Sequence, residues 1–138
     1  MIENKNKFIS FLKENGLKPT TQRNLIGKQL FLNGNNKHFT AEDLYGEIKL
    51  KNKNISLATI YNTLQSFIEK KILKLVAIKK GKTIFCTNMK NHYHFFNQKT
   101  GELIDIPCKK IKIQNLPKAP KGTKIDNIEI TINLNVKD

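Results

Sequence analysis

The sequence has 138 residues, 38% hydrophobic and 26% charged, which suits one soluble unit or two very small ones needing a dimer or a metal as support. No apolar run is long enough to span a membrane, Met1-Ile2-Glu3-Asn4-Lys5 lacks the apolar stretch of a secretory leader, and Cys86 and Cys108 are too few for a disulfide framework, so a cytoplasmic protein with no membrane partner is expected. Twenty-five basic residues against eleven acidic ones give a net charge of +14, with 16 basic and 6 acidic residues in the first 87, which favours a polyanionic partner.

Phe8, Phe11 and Leu12 recur at helical spacing over residues 4–15, and Gly16 stands at a C-terminal capping position. Leu17-Lys18-Pro19 reads as a linker, because the residue before proline resists helix. A second helix starts near Thr20, buries Leu25, Ile26, Leu30 and Phe31, and ends at Asn33-Gly34. Thr40-Ala41-Glu42-Asp43 supplies an N-cap and an acidic first turn for a third helix, and Ser56 caps a fourth with Ile60, Leu64, Phe67 and Ile68 on its apolar face. Alternation of Leu73, Leu75 and Ala77, then Lys80-Gly81, then Thr83 to Cys86, predicts a hairpin.

Helices followed by a hairpin in a basic segment read as a winged helix-turn-helix over residues 1–87. The helix from Ser56 enters the major groove by its first residues, and the Lys79–Lys82 tip touches phosphate. The same arrangement also serves as a plain protein-interaction module. Residues 88–138 change in character. His92-Tyr93-His94-Phe95-Phe96, a turn at Gly101 and Leu103-Ile104-Asp105-Ile106 predict a second hairpin, and Ile128, Ile130, Ile132, Leu134 and Val136 alternate as a strand with one buried face. Pro117 and Pro120 exclude a long helix between them. Three strands in about fifty residues make a poor core alone, which predicts pairing with a second copy. The expected class is α+β: a winged helix, then a small α/β dimerisation domain.

His92 and His94, two apart on a strand, point to one face within reach of a single ion, and neutral imidazole suits zinc, iron and manganese. His38 lies before the Thr40 cap in the other half, so convergence of the three histidines would let an ion join the halves. Asp105 on the returning strand can add an oxygen ligand. Cys86 can add a thiolate, or serve equally as a small buried residue.

Leu12 through Arg23, His38-Phe39-Thr40-Ala41-Glu42-Asp43-Leu44-Tyr45, Ser56-Leu57-Ala58-Thr59-Ile60-Tyr61-Asn62-Thr63-Leu64 and the hairpin from His92 to Asp105 resemble the ferric uptake regulator family. The resemblance implies a winged-helix DNA-binding domain, a hinge and a dimerisation domain, with a divalent metal sensed between them at His38, Cys86, His92, His94 and Asp105. It further implies DNA contacts at Lys18, Arg23, Ser56, Thr59, Tyr61 and Asn62. Tyr61 can set its ring edge against a thymine methyl and Asn62 can bond a base edge; an arginine is common in the family at Asn62, so a preference for A·T-rich operators is expected. Asn97 and Thr100 stand where related sensors carry a Cys-x-x-Cys pair, and the second pair is absent, so no structural four-cysteine zinc is expected.

His92-Tyr93-His94-Phe95-Phe96, Leu103 to Pro107 and Leu116 to Gly122 resemble the family's iron response regulator branch, which implies haem, or a haem-biosynthesis protein, as a further partner. The function that follows is a homodimeric, metal- or haem-responsive repressor or activator of iron and haem genes, bound to a double-stranded DNA operator. The alternative is a metal-binding structural or interaction protein whose winged helix docks a protein. An enzyme is not expected, since no glycine-rich phosphate loop and no nucleophile with its base is present.

Overall fold

The computed structural model describes residues 5–32, 37–51, 53–79 and 81–137; the expected helix end at Asn33-Gly34 and Lys80 of the expected hairpin tip lie outside them. The chain divides into two compact units, Met1–Met89 and Lys90–Asp138. No helix is long and apolar enough to cross a membrane among the described residues.

In the first unit, α1 (Lys5–Glu14) stops where Gly16 takes φ +75°. The Leu17 N–H then reaches back to the Leu12 carbonyl at 2.8 Å, and the Gly16 N–H to that of Lys13 at 3.0 Å. Such a cap presses the residue after the glycine onto the last turn, and Leu12 and Leu17 are both buried. α2 (Thr21–Phe31) begins at Thr20, whose hydroxyl accepts the Arg23 N–H at 3.2 Å. The rings of Phe8, Phe31 and Phe67 follow one another at 6.2 and 5.8 Å between centroids, joining α1, α2 and the later helix that carries Phe67 in one aromatic row.

Gly27, inside α2, is what lets Phe8 sit there: a Cβ on Gly27 would lie 1.8 Å from Phe8 Cζ. Phe8 is fully buried, so its ring has nowhere to swing. Gly27→Ala gains up to about 1 kcal/mol of helix propensity but forces an overpacked core costing about 1–3 kcal/mol or more. The expected result is a net loss of stability and a midpoint lower by several degrees in thermal unfolding followed by circular dichroism. An unchanged or higher midpoint would refute this packing of α1 on α2.

α3 (Ala41–Leu50) opens with a reciprocal cap: the Asp43 N–H donates to Thr40 Oγ1 at 3.0 Å, and the Thr40 N–H to Asp43 Oδ2 at 3.1 Å. α4 (Leu57–Glu69) is capped by Ser56, whose Oγ accepts the Thr59 N–H at 3.1 Å, and it buries Ile60, Thr63, Leu64 and Phe67. The hairpin follows as β2 (Lys74–Lys79) and β3 (Lys82–Cys86), with Gly81 at φ +75°. A two-residue strand, β1 (His38–Phe39), pairs antiparallel with β3, giving the order β1-β3-β2. The expected hairpin forms, with Leu73 buried just before β2, Leu75 45% exposed and a register shift between Leu75 and Ala77.

In the second unit, β4 (His92–Asn97) pairs antiparallel with β5 (Leu103–Pro107) and parallel with β6 (Thr131–Leu134), in the order β5-β4-β6. Asn97 Oδ1 closes the β4–β5 turn by accepting the N–H groups of Lys99 at 3.0 Å and Thr100 at 3.1 Å. Asn97 and Thr100 thus build a turn where zinc-binding relatives are expected to carry cysteines. Helix in this unit is a single 3-10 turn, Cys108–Lys110, among the described residues. The unit is a sheet, and the two prolines and the dense lysines after Pro107 account for the extended chain that leads to β6.

Candidate functional site

The pairing of β4 with β5 sets His94 opposite Asp105 and His92 opposite Pro107, so both imidazoles and the carboxylate share one sheet face. His92 Nε2 lies 3.5 Å, and His94 Nε2 3.2 Å, from the same atom, Asp105 Oδ1. The two rings meet edge to face with centroids 4.5 Å apart. His92 Nδ1 bonds the Lys90 carbonyl, which can only accept, so Nδ1 carries the proton and Nε2 of the neutral ring carries the lone pair. Imidazole nitrogens and a carboxylate oxygen gathered in this way form a set of donors that a cation between them would satisfy. One ligand atom from each of His92, His94 and Asp105 lies within 4.8 Å of the others, a donor set that suits a divalent transition metal.

In the first unit, β1 places His38 directly opposite Cys86 on β3, with one ligand atom of each within 4.8 Å of the other. Cys86 is buried and its Sγ accepts the Asn88 N–H at 3.4 Å. Lys37, next to His38, is tied by its N–H to Thr87 Oγ1 at 2.9 Å, and its carbonyl accepts the Thr87 N–H at 3.1 Å, fixing the approach of β1 to the end of β3.

The expected DNA contacts fall in two places of the same unit. Ser56, Thr59, Tyr61 and Asn62 occupy the cap and first turns of α4, opposite its buried face; Ser56, Tyr61 and Asn62 are exposed. Ser56 and Thr59 also work locally, since their hydroxyls lie 2.9 Å apart within the cap. Arg23 Nη1 donates to the Lys18 carbonyl at 2.9 Å, so the linker and the first turn of α2 present their charges together. Tyr61, 41% exposed, donates its hydroxyl to Glu42 Oε1 at 2.6 Å. Glu42 was legible in the sequence only as part of an acidic first turn; no local spacing connects it to a residue 19 positions on.

The model of the ferric uptake regulator family matches residues 14–133. The chain belongs to the ferric uptake regulator family. Over 97 residues it is 35% identical to the peroxide-responsive repressor PerR of Staphylococcus epidermidis, a match covering 70% of this chain and 63% of that protein. The same repressor of Staphylococcus saprophyticus matches over 64% of its length, so the chain spans less than two thirds of these curated relatives. Among solved structures, the ferric uptake regulator of Vibrio cholerae superposes with TM-score 0.71 at 23% identity, covering 94% of this chain and 99% of that one. That of Pseudomonas aeruginosa, solved with manganese, gives 0.73 at 23% identity, covering 94% and 97%. These likenesses show the fold of the family: winged helix first, sheet unit second.

Proposed function

We propose that this protein is a metal-responsive DNA-binding regulator of transcription, a cytoplasmic homodimer rather than an enzyme. The observation that carries the reading is the pair of imidazoles around Asp105 in a chain whose other unit is a basic winged helix. His38 and Cys86 complete the proposed ligand set with His92, His94 and Asp105, so that one cation joins the two units. The cation, iron, manganese or zinc, supplies positive charge and a cross-link between chain segments, and binding biases a pre-existing equilibrium towards one setting of the DNA-binding unit.

The donors favour an ion over haem. Haem iron takes axial ligands from opposite faces of a broad ring, whereas His92 and His94 stand side by side with centroids 4.5 Å apart. Iron and haem genes remain the proposed targets through the resemblance to the iron response regulator branch, while the staphylococcal relatives, named for their response to peroxide, support an oxidant-linked signal at the same site.

On DNA, α4 lies in the major groove with Ser56, Thr59, Tyr61 and Asn62 towards the bases, while Lys18 and Arg23 meet the backbone. Tyr61→Ala is expected to reduce discrimination between a selected operator and a scrambled duplex by about 1–3 kcal/mol, the scale of one base contact. Arg23→Ala is expected to weaken both duplexes alike and to flatten the salt dependence. Titrations at several salt concentrations check both. Unchanged affinities in both variants, or wild-type binding that barely responds to salt, would instead favour a winged helix that docks a protein.

A further inference from the structure

Two neighbouring acids open α3, and they do different things. Asp43 is consumed by the reciprocal cap with Thr40. Glu42, one residue earlier, is exposed and reaches out of its own helix to Tyr61 on α4, accepting the phenol at 2.6 Å. That length is typical of a hydroxyl bonded to an ionised carboxylate. The Tyr61 hydroxyl, helped by Glu42's own backbone N–H and by Lys82 of β3, holds the Glu42 carboxyl below the usual carboxylate range, against the opposing influences of partial desolvation and of Asp43. The same bond pushes the Tyr61 phenol above its ordinary value. At neutral pH the acceptor is therefore charged and the donor protonated, and the bond is formed.

A bond between two exposed groups adds little to folding stability, because water competes for both partners. An anion beside residues that approach phosphate also weakens attraction to DNA. What the contact does accomplish is geometric. A tyrosine on a helix surface samples its rotamers, and fixing the hydroxyl fixes the plane of the ring. We propose that Glu42 is a positioning residue for sequence discrimination, clamping the Tyr61 ring so that its edge faces the bases; this rests on the DNA-binding reading above. Ordering the ring before binding removes an entropy cost from the complex.

The experiment compares Glu42→Gln, Glu42→Ala and Tyr61→Phe in the full chain. Two probes are used: a duplex enriched by the wild-type protein from a random library, and a scrambled duplex of equal composition. Gln and Ala remove the same charge, but only Gln keeps an oxygen that accepts the phenol. The ratio of the two affinities is therefore expected to stay within about twofold of wild type in Glu42→Gln and to fall about tenfold in Glu42→Ala and in Tyr61→Phe. Combining Glu42→Ala with Tyr61→Phe is expected to add nothing further, as for two ends of one bond. Equal ratios in Glu42→Gln and Glu42→Ala, or additive losses in the double variant, would overturn the proposal while leaving DNA binding intact. If the wild-type protein enriches no duplex, the DNA-binding reading itself fails and the proposal falls with it.

Discussion

Replacing His92 and His94 together with alanine is expected to abolish stoichiometric binding of a divalent cation and to remove any effect of metal on DNA affinity. Both imidazoles converge on one carboxylate oxygen, at 3.5 and 3.2 Å, so neither has a substitute on β4 or β5. Loss of a single outer partner of a metal ligand costs about 10- to 100-fold in affinity, and loss of two direct donors is expected to exceed a thousandfold. Of the proposed ligand set His38, Cys86 and Asp105 remain, but Phe96 and Leu103, which share the sheet face with Asp105, offer no donor to replace the two imidazoles. Isothermal titration with zinc and manganese reads the loss, and circular dichroism checks that the sheet persists. Cys86→Ser refines the result: thiolate ligation favours zinc over manganese, so the serine variant is expected to lose zinc preference while retaining manganese. A double histidine variant that still binds one equivalent of metal and still responds to it would remove this site from the sensing mechanism.

What could be read in advance, and what could not, follows the range of the physics involved. The caps at Thr20, Thr40 and Ser56 are local, because a hydroxyl answers an N–H three residues later, and all three start their helices as the sequence implies. His92, His94 and Asp105 were legible as one face because β-strand alternation and a short turn fix the register. β1 was not legible: two residues carry no periodicity, and its existence depends on pairing with β3 nearly fifty positions away. β6 was legible as a strand, but the buried face expected from Ile128 to Val136 is not formed. The strand covers only Thr131–Leu134, Ile128, Ile132 and Val136 are exposed, and its parallel pairing with β4 depends on a long connection. Gly27 is another such case. Inside a helix it reads as a mild weakness, and only the Phe8 ring against it shows why no side chain fits. The bond between Glu42 and Tyr61 joins two helices at their surfaces, where no burial pattern marks it.

The expected inward face of the last strand leads to the second large effect. Across the second sheet, Phe95 on β4 is opposite Ile104 on β5 and beside Ile132 on β6, so the three side chains form one row on the face turned away from His94 and Asp105. Ile104 is 45% and Ile132 38% exposed, and Tyr93 and Leu134 on the same face are only half-buried. A sheet this small does not offset its ordering cost alone, and in the proposed homodimer a second copy laid on the apolar row would supply the missing burial. Ile104→Glu combined with Ile132→Glu places charge in that row, which a dimer could keep only by burying unpaired carboxylates at a cost of several kcal/mol. Light scattering is then expected to return the mass of one chain, 15.9 kDa, where the wild type gives twice as much. Operator affinity is expected to fall by about 10²-fold or more, because the second half-site no longer benefits from the first. The zinc titration is expected to stay as in the wild type, since His92, His94 and Asp105 occupy the opposite face. A variant that remains dimeric would move the interface elsewhere, and one that loses metal together with the dimer would show that the two faces of this sheet are not independent.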